Sequence, residues 1–271
     1  MAQQKKPEDI EAYKKWLEDT QSVRIGFEIE NYYKTVTKKI KNDFENSEFW
    51  IQLTKNLSEF NIEYEIKNGY KLLLSPNERH EIYIKPYNSF LNKTFRQNIF
   101  NNERWPECPI KGWILPNNWY ERINDIIRTS FAVKYLDGVE FLIKKIKNLC
   151  KDFDTKCEST YLESMEGYYA AHVYIMKSFE IPPFKLETKL INLKIEIQIT
   201  TQLQDVIRTL LHKHYEKRRI KTKKEKLKWQ WDYTSNEFAT NYLGHILHYI
   251  EGMIMDIRER MSKEDKIERR I

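Results

Sequence analysis

The sequence lacks long apolar runs and paired cysteines. No stretch approaches the ~18 apolar residues of a membrane-spanning helix, and the N-terminal segment MAQQKKPEDIEAYKK has no apolar signal-peptide core. We therefore expect a cytoplasmic protein. The three cysteines, Cys108, Cys150 and Cys157, are odd in number, and none has a CxxC or Cys/His ligand spacing. This pattern favours reduced thiols over a disulfide framework or a zinc site.

The positive charge is concentrated in one segment. The formal net charge is +6 over 271 residues. Residues 216–228 contain eight Lys or Arg and two Glu, so they carry this excess and the rest of the chain is close to neutral. Clustered cations bind nucleic-acid phosphates by displacing counterions, but a solvated surface helix would have the same composition. From charge alone, both interpretations remain open.

The order of local signals predicts an α+β fold. Helical periodicity over 7–50 predicts N-terminal helices, and Asn68-Gly69 between two β-type runs predicts a hairpin. Further signals predict strands at 81–84, 125–135, 167–175 and 186–200, and helices after Pro86, after Gly138 and after Gln202. We expect a mixed β-sheet with flanking N- and C-terminal helices in a single domain. Its parts are a helical segment at 1–60, a core at 61–220, and a basic linker with a C-terminal helix at 221–271.

One predicted strand has a polar face. The isoleucines of Ile195–Ile199 alternate with Glu196 and Gln198, so apolar and polar side chains leave opposite faces. A lone Glu on a strand usually lies on a solvated face, but Asp125 opens a second strand with a largely apolar interior. Two carboxylates on neighbouring strands can hold Mg²⁺. This arrangement suits phosphoryl or pyrophosphoryl transfer.

A set of cations could meet the phosphates of such a substrate. Ser89, Lys93 and Arg96 recur at spacings of four and three on the helix predicted after Pro86, and Lys85 precedes it. Surface helices commonly carry Lys and Arg, so this pattern is weak by itself.

Taken together and in order, four motifs and His212, which fits the histidine of the helix that follows them, resemble the RelA/SpoT nucleotidyltransferase-like synthetase domain over roughly residues 60–220. IKPYNSFLNK resembles the basic ATP-site segment of that family, and DIIRTSF resembles its D-[IL]-x-G-x-R motif. GYYAAH is similar to GY[RQ]SxH, and EIQITT is similar to E[VI]QIRT. Members of this family move pyrophosphate from ATP to a ribose 3′-hydroxyl, so the resemblance implies an ATP-dependent pyrophosphokinase with a nucleotidyltransferase-like fold.

The resemblance also implies roles for the matched residues. Asp125 and Glu196 would hold Mg²⁺ bound to ATP, and Glu196 would accept the proton of the attacking 3′-hydroxyl as AMP leaves. Tyr168 would stack on the acceptor base. The expected ATP-binding residues are Lys85, Ser89, Lys93, Arg96 and Arg128. The expected acceptor-binding residues are Tyr168, His172, Gln198 and His212.

The sequence departs from the family pattern mainly at cationic positions. Ser130 stands where D-[IL]-x-G-x-R has Arg, and Arg128 stands where it has Gly. Tyr169 and Ala170 replace the Arg and Ser of the Tyr motif, and Thr200 replaces the Arg of QIRT. The usual guanosine-nucleotide pocket has therefore lost cations.

This pattern resembles the toxic small synthetases of toxin–antitoxin and phage-defence systems. Some of that group attach pyrophosphate to the 3′-CCA end of tRNA, and others make the alarmones (p)ppGpp or (pp)pApp. The basic segment favours tRNA, because an RNA backbone is met by an extended positive surface. The expected RNA-binding residues are Lys217, Arg218, Arg219, Lys221, Lys223 and Lys224. An alarmone synthetase using GDP, GTP or adenosine nucleotides, and an inactive RNA- or partner-binding relic, are alternatives. A protein antitoxin is an expected partner.

The C-terminal segment has a helical apolar stripe between Phe238 and Ile257. This stripe predicts contact with the core or with a partner. His245 and His248 lie on the same helix, and Trp229 precedes it. We expect structural roles for these three residues.

Overall fold

A computed structural model describes residues 5–73, 80–182, 189–208 and 229–268, with side chains described as far as residue 262 in the last range. The basic segment at 216–228 and His212 therefore lie outside the described residues. Within the described ranges, no helix is long and apolar enough to cross a membrane.

In the part of the chain that the structure describes, three helices precede the first strand. They are α1 (Ile10–Gln21), α2 (Phe27–Glu45) and α3 (Glu48–Asn68). Helix α1 begins after Asp9, whose carboxylate accepts a hydrogen bond of 2.8 Å from the backbone N–H of Ala12. This cap satisfies one of the N–H groups that have no partner within the helix.

The later helices alternate with strands. Helix α4 begins directly after Pro86, which has no backbone donor to lose at this position. A π-helical turn at Arg96–Phe100 continues it. Helix α4 spans Tyr87–Phe95. The other helical elements of the described ranges are α5 (Trp119–Arg122), α6 (Leu136–Asp152), α7 (residues 202–208), a 3₁₀ turn at Trp229–Trp231 and α8 (Asn236–Glu268).

Five strands form one mixed sheet in the order β1-β2-β5-β4-β3. The strands are β1 (Tyr83–Ile84), β2 (Ile127–Val133), β3 (Cys157–Glu163), β4 (Tyr169–Ile181) and β5 (Lys189–Thr201). Strand β1 pairs antiparallel with β2, so that Tyr83 lies opposite Arg128. The sheet and its flanking helices confirm the predicted α+β fold class.

The predicted Asn-Gly hairpin was wrong, because helix α3 runs through its first half. Leu57 and Tyr64 are buried seven residues apart, a helical spacing that places both on one face. Gly69 has a φ of 74° and donates its N–H to the carbonyl of Glu65 at 2.7 Å. The Asn-Gly pair therefore ends a helix with a left-handed glycine instead of closing a two-residue turn.

Strand β3 was not predicted, whereas the other four strands were. Its residues alternate between part-exposed and exposed, with no buried side chain among them. Because β3 is an edge strand of the sheet, it has no apolar alternation for sequence reasoning to detect.

The apolar stripe of the C-terminal helix was predicted to contact either the core or a partner. Much of it does not contact the core. Leu243, Ile246 and Ile250 are exposed, whereas Asn241 and Glu251 are buried. Helix α8 therefore turns a partly polar face inward and leaves much of its apolar stripe at the surface.

By packing, the chain divides into two compact units. Unit 1 comprises residues 1–50, 82–129 and 174–196, and unit 2 comprises residues 51–81, 130–173 and 197–271. Each unit has its own buried aromatic residues, such as Tyr33 and Phe90 in unit 1 and Tyr64 and Phe131 in unit 2.

Candidate active site

Unit 1 contains a carboxylate held between two lysines. The Nζ of Lys85 lies 2.8 Å from Oδ2 of Asp125, and the Nζ of Lys93 lies 2.8 Å from Oδ1. The side chains of Lys85 and Asp125 are only 8% and 15% exposed. Three residues predicted for ATP and metal binding therefore meet at one point.

The backbone around Lys85 is anchored on two sides. Lys85 follows β1 directly, and its N–H donates to the carbonyl of Ile126 at 2.8 Å. The hydroxyl of Tyr33, on α2, donates to the carbonyl of Lys85 at 2.7 Å. Helix α4 starts two residues later and carries Lys93 one and a half turns into the helix, which directs a second cation to Asp125.

The cluster has more cations than carboxylates. Burial opposes ionisation of Asp125, but the Lys93 and Lys85 ammonium groups outweigh burial and lower the pKa of Asp125 to about 2. Burial also lowers the pKa of Lys85, and the charges of Lys93 and Arg128 act in the same direction against the pull of Asp125. Two lysines and Arg128 around one carboxylate leave a net positive charge, which suits a phosphate group.

Ser89 and Arg96 lie on the same helical segment as Lys93. Ser89 is on α4 and Arg96 opens the π-helical turn that follows it, and both side chains are part-buried. Their role in nucleotide binding stays a prediction.

Glu196 lies on β5, the neighbour of β2 in the sheet. It is 4% exposed, so it is not on a solvated sheet face. Buried carboxylates are uncommon unless they are paired or bind a ligand.

The donor set decides what kind of metal could bind. Within the described ranges, no group of three or more His, Cys, Asp or Glu is arranged to hold a metal ion. Mg²⁺ is commonly bound through one or two carboxylates together with substrate phosphates, and Asp125 and Glu196 are donors of that type. Because both oxygens of Asp125 already lie 2.8 Å from an ammonium group, these residues fit a metal that arrives with phosphates better than a free ion.

Unit 2 contains three of the residues expected to bind the acceptor, namely Tyr168, His172 and Gln198. The hydroxyl of Tyr168 lies 3.3 Å from Nε2 of His172, and their rings meet edge to face at 6.4 Å. Gln198 and His172 are buried. The Oε1 of Gln198 accepts a hydrogen bond of 2.8 Å from Nη1 of Arg208, whose Nη2 lies 2.7 Å from Asp205.

The helical periodicity after Gln202 places Arg208 on a polar face that could line the same cleft as Gln198, but it predicts no contact for Arg208. Thr200 stands where the motif QIRT has Arg, and Arg208 on helix α7 places a guanidinium against Gln198, two residues before Thr200. Gln198 and Arg208 are ten positions apart, one on a strand and the other on a helix, so periodicity within either element could not reveal their hydrogen bond.

Tyr169 is a second residue whose contacts were missed. Its hydroxyl lies 2.8 Å from Nδ1 of His245 on helix α8. Tyr169 therefore contacts the C-terminal helix from the position where the motif GY[RQ]SxH has Arg or Gln. His212 and the six predicted RNA-binding cations lie outside the described residues, so their roles stay predictions.

No protein-family model matches the sequence, and no curated protein matches it either. Solved structures do match. A GTP pyrophosphokinase family protein from Streptococcus pneumoniae matches with a TM-score of 0.52 and 17% identity over 89% of this chain and 97% of that one. Small alarmone synthetase 1 from Bacillus subtilis, bound to its product pppGpp, matches with a TM-score of 0.51 and 15% identity over 85% of this chain and 94% of that one.

The chain has the fold of these two proteins. Identities of 15% and 17% establish a shared fold without establishing a shared substrate. The function must therefore be argued from the residues of the site.

Proposed function

We propose that the chain transfers pyrophosphate from ATP to a ribose 3′-hydroxyl in a Mg²⁺-dependent reaction, with the 3′-CCA end of tRNA as the acceptor. The observation that carries this proposal is the buried pairing of Asp125 with Lys85 and Lys93. The cluster has the charge that a triphosphate requires, and it lies on a fold shared with a GTP pyrophosphokinase family protein and a small alarmone synthetase.

The cations of unit 1 would bind the phosphates of ATP. Lys85 and Lys93 would exchange Asp125 for phosphate oxygens, and Arg128 would add a third cation. The released Asp125, together with Glu196, would provide the carboxylates of a metal site. When bound, Mg²⁺ would neutralise phosphate charge during transfer.

Glu196 would act as the general base. Its carboxylate would take the proton of the ribose 3′-hydroxyl as the 3′-oxygen attacks the β-phosphorus of ATP. The bond from the β-phosphorus to the oxygen bridging the α- and β-phosphates breaks, and AMP leaves with that oxygen. Removal of such a base typically costs ~10²–10⁴ in rate.

The acceptor would bind through residues of unit 2. Tyr168 would stack on the terminal adenine, with His172 beside it at 3.3 Å. The choice of tRNA rests on the sequence of the basic segment at 216–228, because a phosphate backbone requires cations spread over an extended surface.

A second candidate is an alarmone synthetase that uses GDP, GTP or adenosine nucleotides. The contact between Arg208 and Gln198 favours it, because this pair restores a cation near the position of the lost Arg. The Bacillus subtilis synthetase with the same fold is bound to its product pppGpp, so a guanosine nucleotide is the acceptor to test for this candidate.

Incubation with ATP labelled at the γ-phosphate, in parallel with total tRNA, GDP, GTP and ATP as acceptors, separates these functions. Label in the tRNA 3′ end supports the leading proposal, and label only in a nucleotide supports the alarmone synthetase. No transfer to any acceptor would indicate the inactive relic. Glu196→Gln is the matched control, because it keeps the size of the side chain and removes the base.

Transfer to tRNA would make the chain a translation inhibitor. The amino acid forms an ester with the hydroxyl group of the terminal adenosine. A pyrophosphate on its 3′-oxygen therefore blocks aminoacylation. We propose that the chain acts as the toxin of a toxin–antitoxin or phage-defence system with a protein antitoxin. Induced expression should then stop growth, whereas expression of the Glu196→Gln variant should not; equal growth arrest by both would contradict a toxic transferase.

A further inference from the structure

Tyr169, at the start of β4 in unit 2, contacts two histidines of helix α8, His245 and His248. The hydroxyl of Tyr169 lies 2.8 Å from Nδ1 of His245. The ring of Tyr169 also stacks on His248, with centroids 3.7 Å apart and planes only 7° from parallel. These contacts join residues that are 76 or more positions apart in the chain.

The partners of His245 determine how its protons are arranged. Its Nε2 lies 3.0 Å from the carbonyl oxygen of Met165. A carbonyl can only accept, so Nε2 carries the proton. In a neutral imidazole Nδ1 is then the acceptor, and the Tyr169 hydroxyl donates to it. His245 thus binds both sides of the turn between β3 and β4.

This turn also contacts α8 through its backbone. Gly167 has a φ of 76°, and a Cβ added there would clash with the backbone carbonyl of Asn241. A Cβ added to Gly244 would clash with the carbonyl of Gly167. Only glycines allow this approach, so the turn and the helix are held at a fixed separation.

The same face of α8 contacts helix α7, which follows β5, and β5 itself is hydrogen-bonded to the start of β4. Gln204 donates from Nε2 to the carbonyl of Gly244 at 3.2 Å, and the Thr200 hydroxyl donates to the carbonyl of Tyr169 at 3.2 Å. Glu251 is buried, which raises its pKa, and its Oε2 lies 3.5 Å from Nδ1 of His248.

Tyr168 follows Gly167 in the turn between β3 and β4. Its N–H donates to Oγ of Ser164 at 3.1 Å, and its carbonyl accepts from the N–H of Ser164 at 3.0 Å. The backbone of Tyr168 is therefore set by a turn whose Met165 carbonyl is held by His245.

We propose that His245 is a positioning residue for acceptor binding: through Met165 and Tyr169 it fixes the turn that presents Tyr168 to the acceptor base. This inference rests on the proposed function and assigns helix α8 a part in it. It also explains why the chain has Tyr at position 169, since the hydroxyl of this residue is the donor that His245 accepts.

The test is a comparison of KM values for ATP and for the acceptor tRNA in the full chain. His245→Ala should raise the KM for tRNA about tenfold, as expected for loss of one part-buried and one exposed hydrogen bond, while the KM for ATP changes less than about twofold. Tyr169→Phe keeps the ring stacking and removes only the donor, so it should raise the tRNA KM by a smaller factor. His245→Gln retains a donor for the Met165 carbonyl and should restore part of the loss.

Tyr249→Ala is the control, because Tyr249 lies on the same helix and is 71% exposed; it should leave both constants unchanged. If His245→Ala does not fold, Tyr169→Phe provides the same comparison. A tRNA KM that is unchanged in the active variants, or a rise equal to that for ATP, would overturn the inference and leave the proposed function standing. Absence of transfer by the wild-type chain would overturn the proposed function and this inference with it.

Discussion

At the scale of single residues, Asp125 of the candidate site has a carboxylate pKa well below its ordinary value. Removing its carboxylate would leave the buried ammonium of Lys85 without its 2.8 Å partner. An unpaired buried charge is costly, so the two lysines and the carboxylate stabilise the fold only as a set. The residues proposed to bind phosphate should therefore also contribute to stability.

The stability of the chain should depend on pH through Asp125. Its pKa in the folded state, about 2, lies below the ordinary value of 3.8, so its contribution is complete above about pH 4 and is lost as the pH falls towards 2. A shift of this size corresponds to about 2 kcal/mol in the free energy of unfolding. Urea unfolding should show a difference between wild type and Asp125→Asn at pH 7 that shrinks below pH 4.

Glu140→Gln is the control for this comparison, because Glu140 pairs with Lys144 on the exposed surface of α6. Its difference from wild type should be small at every pH, because the pair is exposed to solvent. A difference for Asp125→Asn that does not change between pH 7 and pH 2 would contradict the assigned charge state.

Metal binding should depend on the nucleotide. Because Lys85 and Lys93 occupy both oxygens of Asp125, free Mn²⁺, used as a spectroscopic probe, should bind at least about tenfold more weakly than in the presence of a non-hydrolysable ATP analogue. Electron paramagnetic resonance of the unbound ion measures both affinities. Lys93→Ala removes one competing ammonium and should strengthen binding of the ion alone. Equal affinities with and without nucleotide would contradict the proposed exchange.

At the scale of elements, α3 shows how a local signal can be overruled. The Asn-Gly pair is common in hairpins, but the buried spacing of Leu57 and Tyr64 continues the helix to Asn68. Gly69 then adopts the left-handed conformation that ends it. Two consistent local patterns competed here, and long-range burial decided between them.

Two glycine substitutions test this assignment. Gly69→Ala should lower the free energy of unfolding by about 1 kcal/mol, because an alanine at a φ of 74° is strained. Gly252→Ala should raise it by about 0.5–1 kcal/mol, because Gly252 lies within α8 with no atom near an added Cβ. Urea unfolding of both variants measures the pair. Effects of the same sign would contradict the helix-ending role of Gly69.

At the scale of the whole molecule, the sequence predicted the elements that are determined by residues close together in the chain. Strand β2, helix α4 after Pro86 and strand β5 follow from local patterns, and Asp125 and Glu196 were found because each adjoins or lies within such a strand. The contacts of Gln198 with Arg208 and of Tyr169 with His245 were not found, because they depend on how separate elements pack. Edge strand β3 was missed because it buries no side chain.

The central claim is that the bond between the α- and β-phosphates of ATP is broken while Lys85 and Lys93 hold its phosphates. The most direct measurement is the identity of the adenine nucleotide released when the wild-type chain, Mg²⁺, ATP and acceptor are incubated together. The account predicts one AMP for each acceptor that gains two phosphates. Release of ADP, with a single phosphate added to the acceptor, would contradict it.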